Sequence, residues 1–464
     1  MDVAIVGAGV AGLGAAIALR RAGHTVTIYE KSHFRNEIGA AILITPNGNR
    51  ILRHWGFDFE KARPVDFKQF RWCDGSAGGQ LEVKASTSFE DVEEKFGERM
   101  CAYHRVDLHS GLKEVALAER DGWARPAEIK LGCEVVRVEP EKGELQLKSG
   151  EVVKSDFVVL ADGCHTPFLP QIAQEDIPTV KVGKSVARCL APFEKVLEHP
   201  DAKKIWGPNL EEPAGFVSLY NKGIFVVTYP CRDQKLLNVA IFHDTRPDEQ
   251  FKDGWQSDTT IEKVLETLDG CHDMVRHIPQ TAEMIKVYTV TQRPPSTTIY
   301  RGRILCIGDT THHMLPTHAQ GGCSSLEDAA ALEVLFSPNY SKPFSYSEAN
   351  LEKRLHLFQH LRLPRSATTQ ILSSLNPQLT MEGLKSKNAE IRKFYKGELP
   401  NWPFGTGPWG PVLREFFYDY DVFKETEGAL NGWDEESGIV EEGSFRWFGD
   451  IDGRGGVAEL STMG

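Results

Sequence analysis

The chain opens with a short apolar strand pattern, Val3 to Val6, that runs directly into Gly7-Ala8-Gly9-Val10-Ala11-Gly12. An Ala- and Leu-rich stretch follows to Ala22 and stops at Gly23, which predicts strand, tight turn and buried helix in succession. Thr25 to Tyr29 predicts a second strand, closed by Glu30. A helix is expected around Gly48–Arg53, then a strand pair and loop over 65–95. Leu108, Leu112, Val115 and Ala116 recur at helical spacing after Arg105. Residues 128–160 alternate as a β-meander, with Ile129, Leu131, Val135, Val138, Leu145 and Leu147 separated by turns at 141–143 and 148–150. Strands are then expected at 185–188, 205–206, 215–220, 224–229, 237–243 and 285–291, interrupted by one helix over 259–268. Ile304 to Ile307 predicts a strand ending in Gly308-Asp309. Helices over 324–332 and from Tyr346 to Leu375 complete the pattern.

The opening unit carries chemistry as well as shape. Gly7 permits the tight turn, Gly9 lets the backbone approach a pyrophosphate, and Gly12 lets helix and strand pack closely. The helix N-terminus presents unpaired N–H groups to an anion. Glu30 is placed to accept hydrogen bonds from ribose hydroxyls and would repel a 2′-phosphate, which excludes the adenosine half of NADP here. These residues alone do not separate FAD from NAD. Two further strand-to-turn sites, Phe157 to Gly163 and Ile304 to Asp309, lie far along the chain. Three such sites suggest one cofactor site assembled from distant pieces.

Length and composition narrow the classes. At 464 residues the chain calls for more than one domain. Nine scattered cysteines without a CxxC pair argue for a reducing compartment and against a disulfide framework or zinc site. His312-His313 does not supply a metal site, since adjacent residues point apart and no carboxylate triad accompanies them. No positively charged leader and no apolar run of about 18 residues is found, so neither secretion nor a membrane span is expected and the location expected is cytoplasmic. The net charge of −12 is concentrated from Asp421 onward, where eleven acids stand against three Lys/Arg. That tail reads as a solvated, partly irregular extension, with Trp433, Phe445, Trp447 and Phe448 as docking points. No basic patch with interleaved aromatics appears, so nucleic acid is not an expected partner.

Together the three glycine-containing turns, with Ala319-Gln320-Gly321-Gly322 and Asp419-Tyr420-Asp421-Val422, resemble the single-component (group A) FAD-dependent aromatic monooxygenases of the salicylate-hydroxylase-like, fungal-type branch, over residues 2 to 425. The resemblance implies an α/β fold: a GR2-type, Rossmann-like FAD-binding domain interleaved with a β-rich substrate domain, and a C-terminal helical segment. The expected division is 1–177 and 296–420 for the FAD domain with its long helix, 178–295 for the substrate domain, and 421–464 for the acidic extension. It implies bound FAD, transient NADPH or NADH, dioxygen and a small aromatic substrate. The family's cycle forms a flavin C4a-hydroperoxide that hydroxylates or epoxidises an electron-rich ring of phenol, indole or polyketide type. A monomer or homodimer is expected.

The resemblance also distributes roles. Gly7, Gly9, Gly12, Glu30 and Lys31 would hold the adenosine diphosphate half. Ala41, standing where the family usually has glycine, and Arg105 would flank the flavin. Asp309 would contact the ribityl or pyrophosphate region, Pro316 would shape the space over the ring, and Gly321 and Gly322 would approach its pyrimidine oxygens. After Asp162-Gly163 the family continues to an arginine that this chain lacks in Cys164-His165-Thr166-Pro167-Phe168-Leu169, which leaves the nicotinamide preference open. Arg188, with Tyr220 as partner, would face the substrate; Tyr229 and His243 are weaker candidates. A flavin-dependent dehydrogenase or reductase, and a non-enzymatic binding protein like the GDP-dissociation inhibitors, remain as alternatives.

Overall fold

A computed structural model describes residues 1–34, 40–78, 81, 83–206, 216–221, 223–249, 257–374, 381–395, 409–434, 440–441 and 444. The chain divides into two compact units. The first comprises 1–35, 112–178 and 293–464; the second comprises 36–111 and 179–292.

The first unit is built on a six-stranded sheet. Its order is Tyr300–Arg301, Ile304–Cys306, Phe157–Leu160, Asp2–Val6, Thr25–Glu30, Glu128–Leu131. All pairs are parallel except the edge pair formed by Tyr300–Arg301. Such strands are covered on both faces, which is why Ile5, Ile28, Phe157, Val159 and Leu305 are buried in near-continuous apolar runs. The register sets Val6 beside both Leu160 and Tyr29, and Leu160 beside Cys306, so three strand ends lie side by side. Helix Val10–Arg21 is buried on nearly all sides and packs against helix Gln320–Phe336. Arg20 is fully buried, and its guanidinium donates to the carbonyls of Val115, Ala116, Ala118, Ala124 and Arg125, capping the end of helix Arg105–Leu117. The long helix runs from Glu348 to Ser373, with its N-terminus capped by Ser347, and includes Pro364.

The second unit holds an eight-stranded sheet in the order Ser257–Asp258, Ile285–Gln292, Val180–Pro192, Leu236–Asp244, Ile224–Cys231, Phe216–Asn221, Gln69–Asp74, Val83–Ser88. One face packs Ala187, Cys189, Ala191, Val226, Val239 and Ile241 against the short helices that carry Phe193, Trp206, Val264 and Met274. A three-stranded sheet, Ala41–Ile44, Cys101–His104, Val65–Asp66, completes it.

The structure departs from the sequence pattern in five places. Residues 36–111 join the second unit because Gln69–Asp74 pairs in parallel with Phe216–Asn221, a contact between segments far apart in sequence. Glu128–Leu131 belongs to the main sheet beside Thr25–Glu30, and the meander proper is only Val135–Glu139, Glu144–Leu147 and Val152–Lys154. Ile205-Trp206 ends a helix, Ala202–Trp206, instead of forming a strand. A second helix, Asp273–Gln280, follows Ile261–Thr267, hidden from periodicity by its internal Pro279. The acidic extension does not begin at Asp421: helix Val422–Asn431 packs on Gln320–Phe336, and Trp433 is buried. Phe445, Trp447 and Phe448 lie outside the described residues.

Candidate active site

In the first unit the cofactor candidates gather at the carboxyl ends of adjacent parallel strands, where open α/β sheets bind ligands. Gly7 has φ +96°, and a β-carbon built on it would lie 2.5 Å from the Ala161 carbonyl oxygen. A β-carbon on Gly12 would lie 2.0 Å from the Gly7 carbonyl oxygen. Both positions therefore admit no side chain. Gly9 is different: a β-carbon there meets nothing within 4 Å, so the backbone fronts open space at the start of helix Val10–Arg21, which has no side-chain cap. That is the cradle a diphosphate needs. The Glu30 carboxylate receives the N–H of Ala8 at 2.8 Å and that of Ser32 at 2.7 Å, which ties the end of its strand to the glycine turn. Lys31 is exposed next in the chain, and its charge weakly opposes the rise that burial imposes on the Asp162 carboxyl.

The other two turns interlock. Thr310 Oγ1 accepts the Gly163 N–H at 2.9 Å and donates to Asp162 Oδ1 at 3.2 Å. Burial raises the Asp162 pKa despite its hydrogen bonds from Thr166 and Thr310. Asp309 is half-buried, and a β-carbon on Gly321 would sit 3.9 Å from its Oδ1, so these two candidates are neighbours. Gly321 and Gly322 do not precede the helix expected over 324–332; they form its first turn, since it starts at Gln320 after Ala319 at φ +54°. No side chain caps that N-terminus, which leaves its N–H groups available to an anionic ring edge. Pro316 is exposed in the loop before it.

Beneath the Gly308-Asp309 turn lies a buried charge network. Asp328 accepts the Gly308 N–H at 3.0 Å and His312 Nε2 at 2.8 Å on one oxygen, and Arg362 Nε at 2.9 Å on the other. Glu327 accepts Arg362 at 2.9 Å and a two-pronged contact from Arg365 at 2.8 and 2.7 Å. The Arg365 guanidinium lies 3.6 Å from the centre of the Tyr420 ring. Burial pushes His312 down, but the charge and hydrogen bond of Asp328 outweigh it and raise its pKa. Asp328 is held below the usual carboxylate range: burial acts upward, and His312 and Arg362 overcome it. His312 thus has a buried carboxylate partner in Asp328.

In the second unit the sheet face opposite the helices carries Arg188, whose register neighbours are Ala240 and Lys286. Its guanidinium lies 5.6 Å from the centre of the Tyr288 ring, and its Nε is buried with no hydrogen-bond partner among the described residues. The same face carries Phe225, Phe242 and Trp72, with ring centres 6.2 Å apart for the first pair and 5.5 Å for Phe225 and Trp72. Burial raises the Tyr288 phenol, while Arg188 and Arg105 both oppose it. Arg105 follows the Cys101–His104 strand, and its N–H donates to the Ala40 carbonyl at 2.8 Å. Ala41 is gripped from both sides: its N–H donates to Asn238 Oδ1 at 3.0 Å, and the Tyr229 hydroxyl donates to its carbonyl at 3.0 Å.

Two weaker candidates are thereby reassigned. The Tyr229 phenol is committed to backbone, and burial pushes its pKa well up. His243 shares the parity of Ile241 on the helix-covered face, with Nε2 at 3.8 Å from Glu249 Oε1. Tyr220 pairs in register with Phe225, and its side chain lies outside the described atoms. Tyr288, Arg293, Thr310 and the Asp328 network escaped the sequence reading. Only the last left a signal: Glu327-Asp328 interrupts an apolar helical run, and Arg362 and Arg365 sit one turn apart on another helix. Among the described residues no group of three or more His, Cys, Asp or Glu could hold a metal ion, all nine cysteines are free thiols, and no helix is long and apolar enough to cross a membrane.

Residues 1–341 match the family model for an FAD binding domain. The chain is 31% identical over 391 residues to the FAD-dependent monooxygenase cfoG of Aspergillus candidus, covering 83% of this chain and 88% of that protein. It is 29% identical to hispidin-3-hydroxylase of Neonothopanus nambi, covering 84% and 92%. Among solved structures, a salicylate hydroxylase substrate complex superposes with a TM-score of 0.67 at 17% identity, covering 95% of this chain and 98% of that one.

Proposed function

The chain belongs to the FAD binding domain family, among FAD-dependent monooxygenases, and on that premise we propose that it oxygenates a small electron-rich aromatic compound, with NADH or NADPH as reductant. The observation that carries this reading is the junction of Gly7–Gly12, Asp162-Gly163 and Gly308-Asp309 at neighbouring ends of parallel strands, where Gly7, Gly12 and Gly308 are closely packed while Gly9 and Gly163 front open space. When bound, FAD supplies the electrons that split dioxygen, so that one oxygen atom enters the substrate and the other leaves as water.

This chain's residues have four tasks. The N–H groups at Gly9 and Val10 hold the diphosphate, and Glu30 and Lys31 border the adenosine ribose. Asp309 and the N–H groups of Gly321 and Gly322 hold the ribityl chain and ring edge, and stabilise negative charge there. Ala41 and Arg105 are assigned to the flavin by the family resemblance; within the second unit Ala41 is held by Asn238 and Tyr229, and Arg105 by the Ala40 carbonyl. Arg188 binds the phenolate or carbonyl oxygen of the substrate, because a permanently charged guanidinium with an unsatisfied buried N–H favours an anionic oxygen. The aromatic residues beside it suit a flat ring. Tyr220 is assigned to the same substrate as the partner of Arg188 that the family resemblance implies.

The test is turnover with isotopically labelled dioxygen and a panel of phenols, indoles and polyketide aromatics. Labelled product from at least one compound is expected, with yellow holoprotein releasing FAD on acid extraction. Reduction of a double bond without label would replace this reading with a dehydrogenase or reductase.

A further inference from the structure

Arg293 was silent in the sequence: it follows a strand and precedes two prolines. In the structure it is only 6% exposed, and its guanidinium spans two separate turns. One arm donates to the Cys164 carbonyl at 3.0 Å, in the loop after Phe157–Leu160. The other donates to the Thr310 carbonyl at 3.2 Å, in the turn after Ile304–Cys306. Its own backbone is pinned as well. The Arg293 N–H donates to the His313 carbonyl at 3.0 Å, and Gln370 Nε2 donates to the Arg293 and His313 carbonyls. The Thr310 side chain closes the same gap through Gly163 and Asp162. The residues after Gly163 contain no arginine, so Arg293 delivers a fixed cation to that loop from 129 residues away.

We infer that Arg293 is a positioning residue of the cofactor site, and that with Thr310 it locks the turns carrying Asp162 and Asp309 at the spacing FAD requires. This rests on the reading of those turns as the FAD site. The two carbonyls are groups of opposite turns, and strand pairing ends before either: Leu160 and Cys306 are the last paired residues. Beyond them the ladder adds a single backbone bond, from the Ile307 N–H to the Leu160 carbonyl at 3.0 Å, whereas the turns themselves are joined by a planar guanidinium through two divergent N–H donors. A lysine keeps the charge but carries a single ammonium on a flexible stem and cannot impose that spacing.

The experiment is FAD titration of apoprotein by flavin fluorescence, paired with thermal melting of the same apoprotein, for Arg293→Lys, Thr310→Val and Gly9→Val. Arg293→Lys and Thr310→Val are expected to weaken FAD binding by about 10- to 100-fold, the scale of lost hydrogen bonds to a charged or buried group, while apoprotein melting stays close to wild type. A Kd within about twofold of wild type in both would overturn the inference, as would weakening that only tracks a fall in apoprotein melting. If Arg293→Lys does not fold, Thr310→Val decides alone. Gly9→Val separates the two levels of the argument. Its β-carbon has no protein atom within 4 Å and projects into the diphosphate cradle, so it should abolish FAD binding. If it binds FAD normally, the cofactor-site reading fails and the inference with it. If it alone loses FAD, only the clamp fails.

Discussion

At the scale of single residues, the buried groups with unusual partners yield the sharpest expectations. Arg188 holds its Nε away from solvent and from every described acceptor, beside Tyr288. Arg188→Ala should leave yellow holoprotein that still oxidises NAD(P)H but releases hydrogen peroxide, with product formation lower by about 10²–10³-fold, the scale for one preorganised donor. Coupled turnover near the wild-type rate, measured as product per reductant consumed, would remove Arg188 from the site. His312 makes a pH prediction. Its pKa is raised above 6.5 because Asp328 outweighs burial, with Asp309 adding to the rise and Arg362 opposing it. A raised folded-state pKa stabilises the fold fully below the unfolded value, and that contribution fades as pH rises through the raised one. Asp328 has the opposite sign: its contribution holds above 3.8 and is lost as pH falls through its lowered value. Melting temperature should therefore decline as pH rises above 6.5 and through the raised value. His312→Gln, which keeps a neutral donor toward Asp328, should flatten that limb in melts across a pH series; an unchanged slope would refute the assignment. Arg188 was named from the sequence only through the family resemblance, because an isolated arginine on a strand has no periodic signature.

At the scale of elements, helix Gln320–Phe336 does two jobs. Its first turn presents Gly321 and Gly322, and its middle carries Glu327 and Asp328 into the core. Buried carboxylates are tolerable only when paired, and Arg362 and Arg365 from Glu348–Ser373 supply the pairs. Glu327→Ala should thus cost about 3–5 kcal/mol, since it removes the carboxylate that two buried guanidinium groups share and leaves Arg362 with Asp328; denaturant unfolding would measure it, and a loss below about 1 kcal/mol would mean that water or rearrangement replaces the carboxylate. The glycine turn makes a second element-scale prediction. Gly12→Ala puts a β-carbon 2.0 Å from the Gly7 carbonyl oxygen, so strand and helix must separate. We expect overpacking of about 1–3 kcal/mol or more and poor FAD retention, read from the ratio of flavin to protein absorbance. That close approach was already implied by the spacing Gly7, Gly9, Gly12. The helix Ala202–Trp206 was not, since Ile205-Trp206 reads equally well as strand or helix over so short an apolar run.

At the scale of the whole molecule, the body extends past the point where the acids begin. Trp433 is 3% exposed, with the Arg354 guanidinium 5.0 Å from its ring centre, and helix Val422–Asn431 packs on Gln320–Phe336. A chain ending at Trp433 should fold and retain FAD. A chain ending at Tyr420 should lose soluble holoprotein, because it uncovers the helix that carries Gly321. Expression of both with a flavin-to-protein ratio decides, and equal behaviour would show that Val422–Asn431 is dispensable. Local information reached far in this protein. The first strand, turn, helix and second strand, the Arg105 helix and the long helix all follow from periodicity and glycine spacing, because each is a contest among conformations of neighbouring residues. Gly7, Gly12 and Asp309 were legible for the same reason: a turn after an apolar strand constrains its own residues. The tertiary structure alone decided which strands lie side by side, that 36–111 joins the second unit, that Glu128–Leu131 enters the main sheet, and that Arg293 spans two turns. Those outcomes depend on contacts between residues up to hundreds of positions apart, for which a sequence records only the chemistry of each partner and not the distance between them.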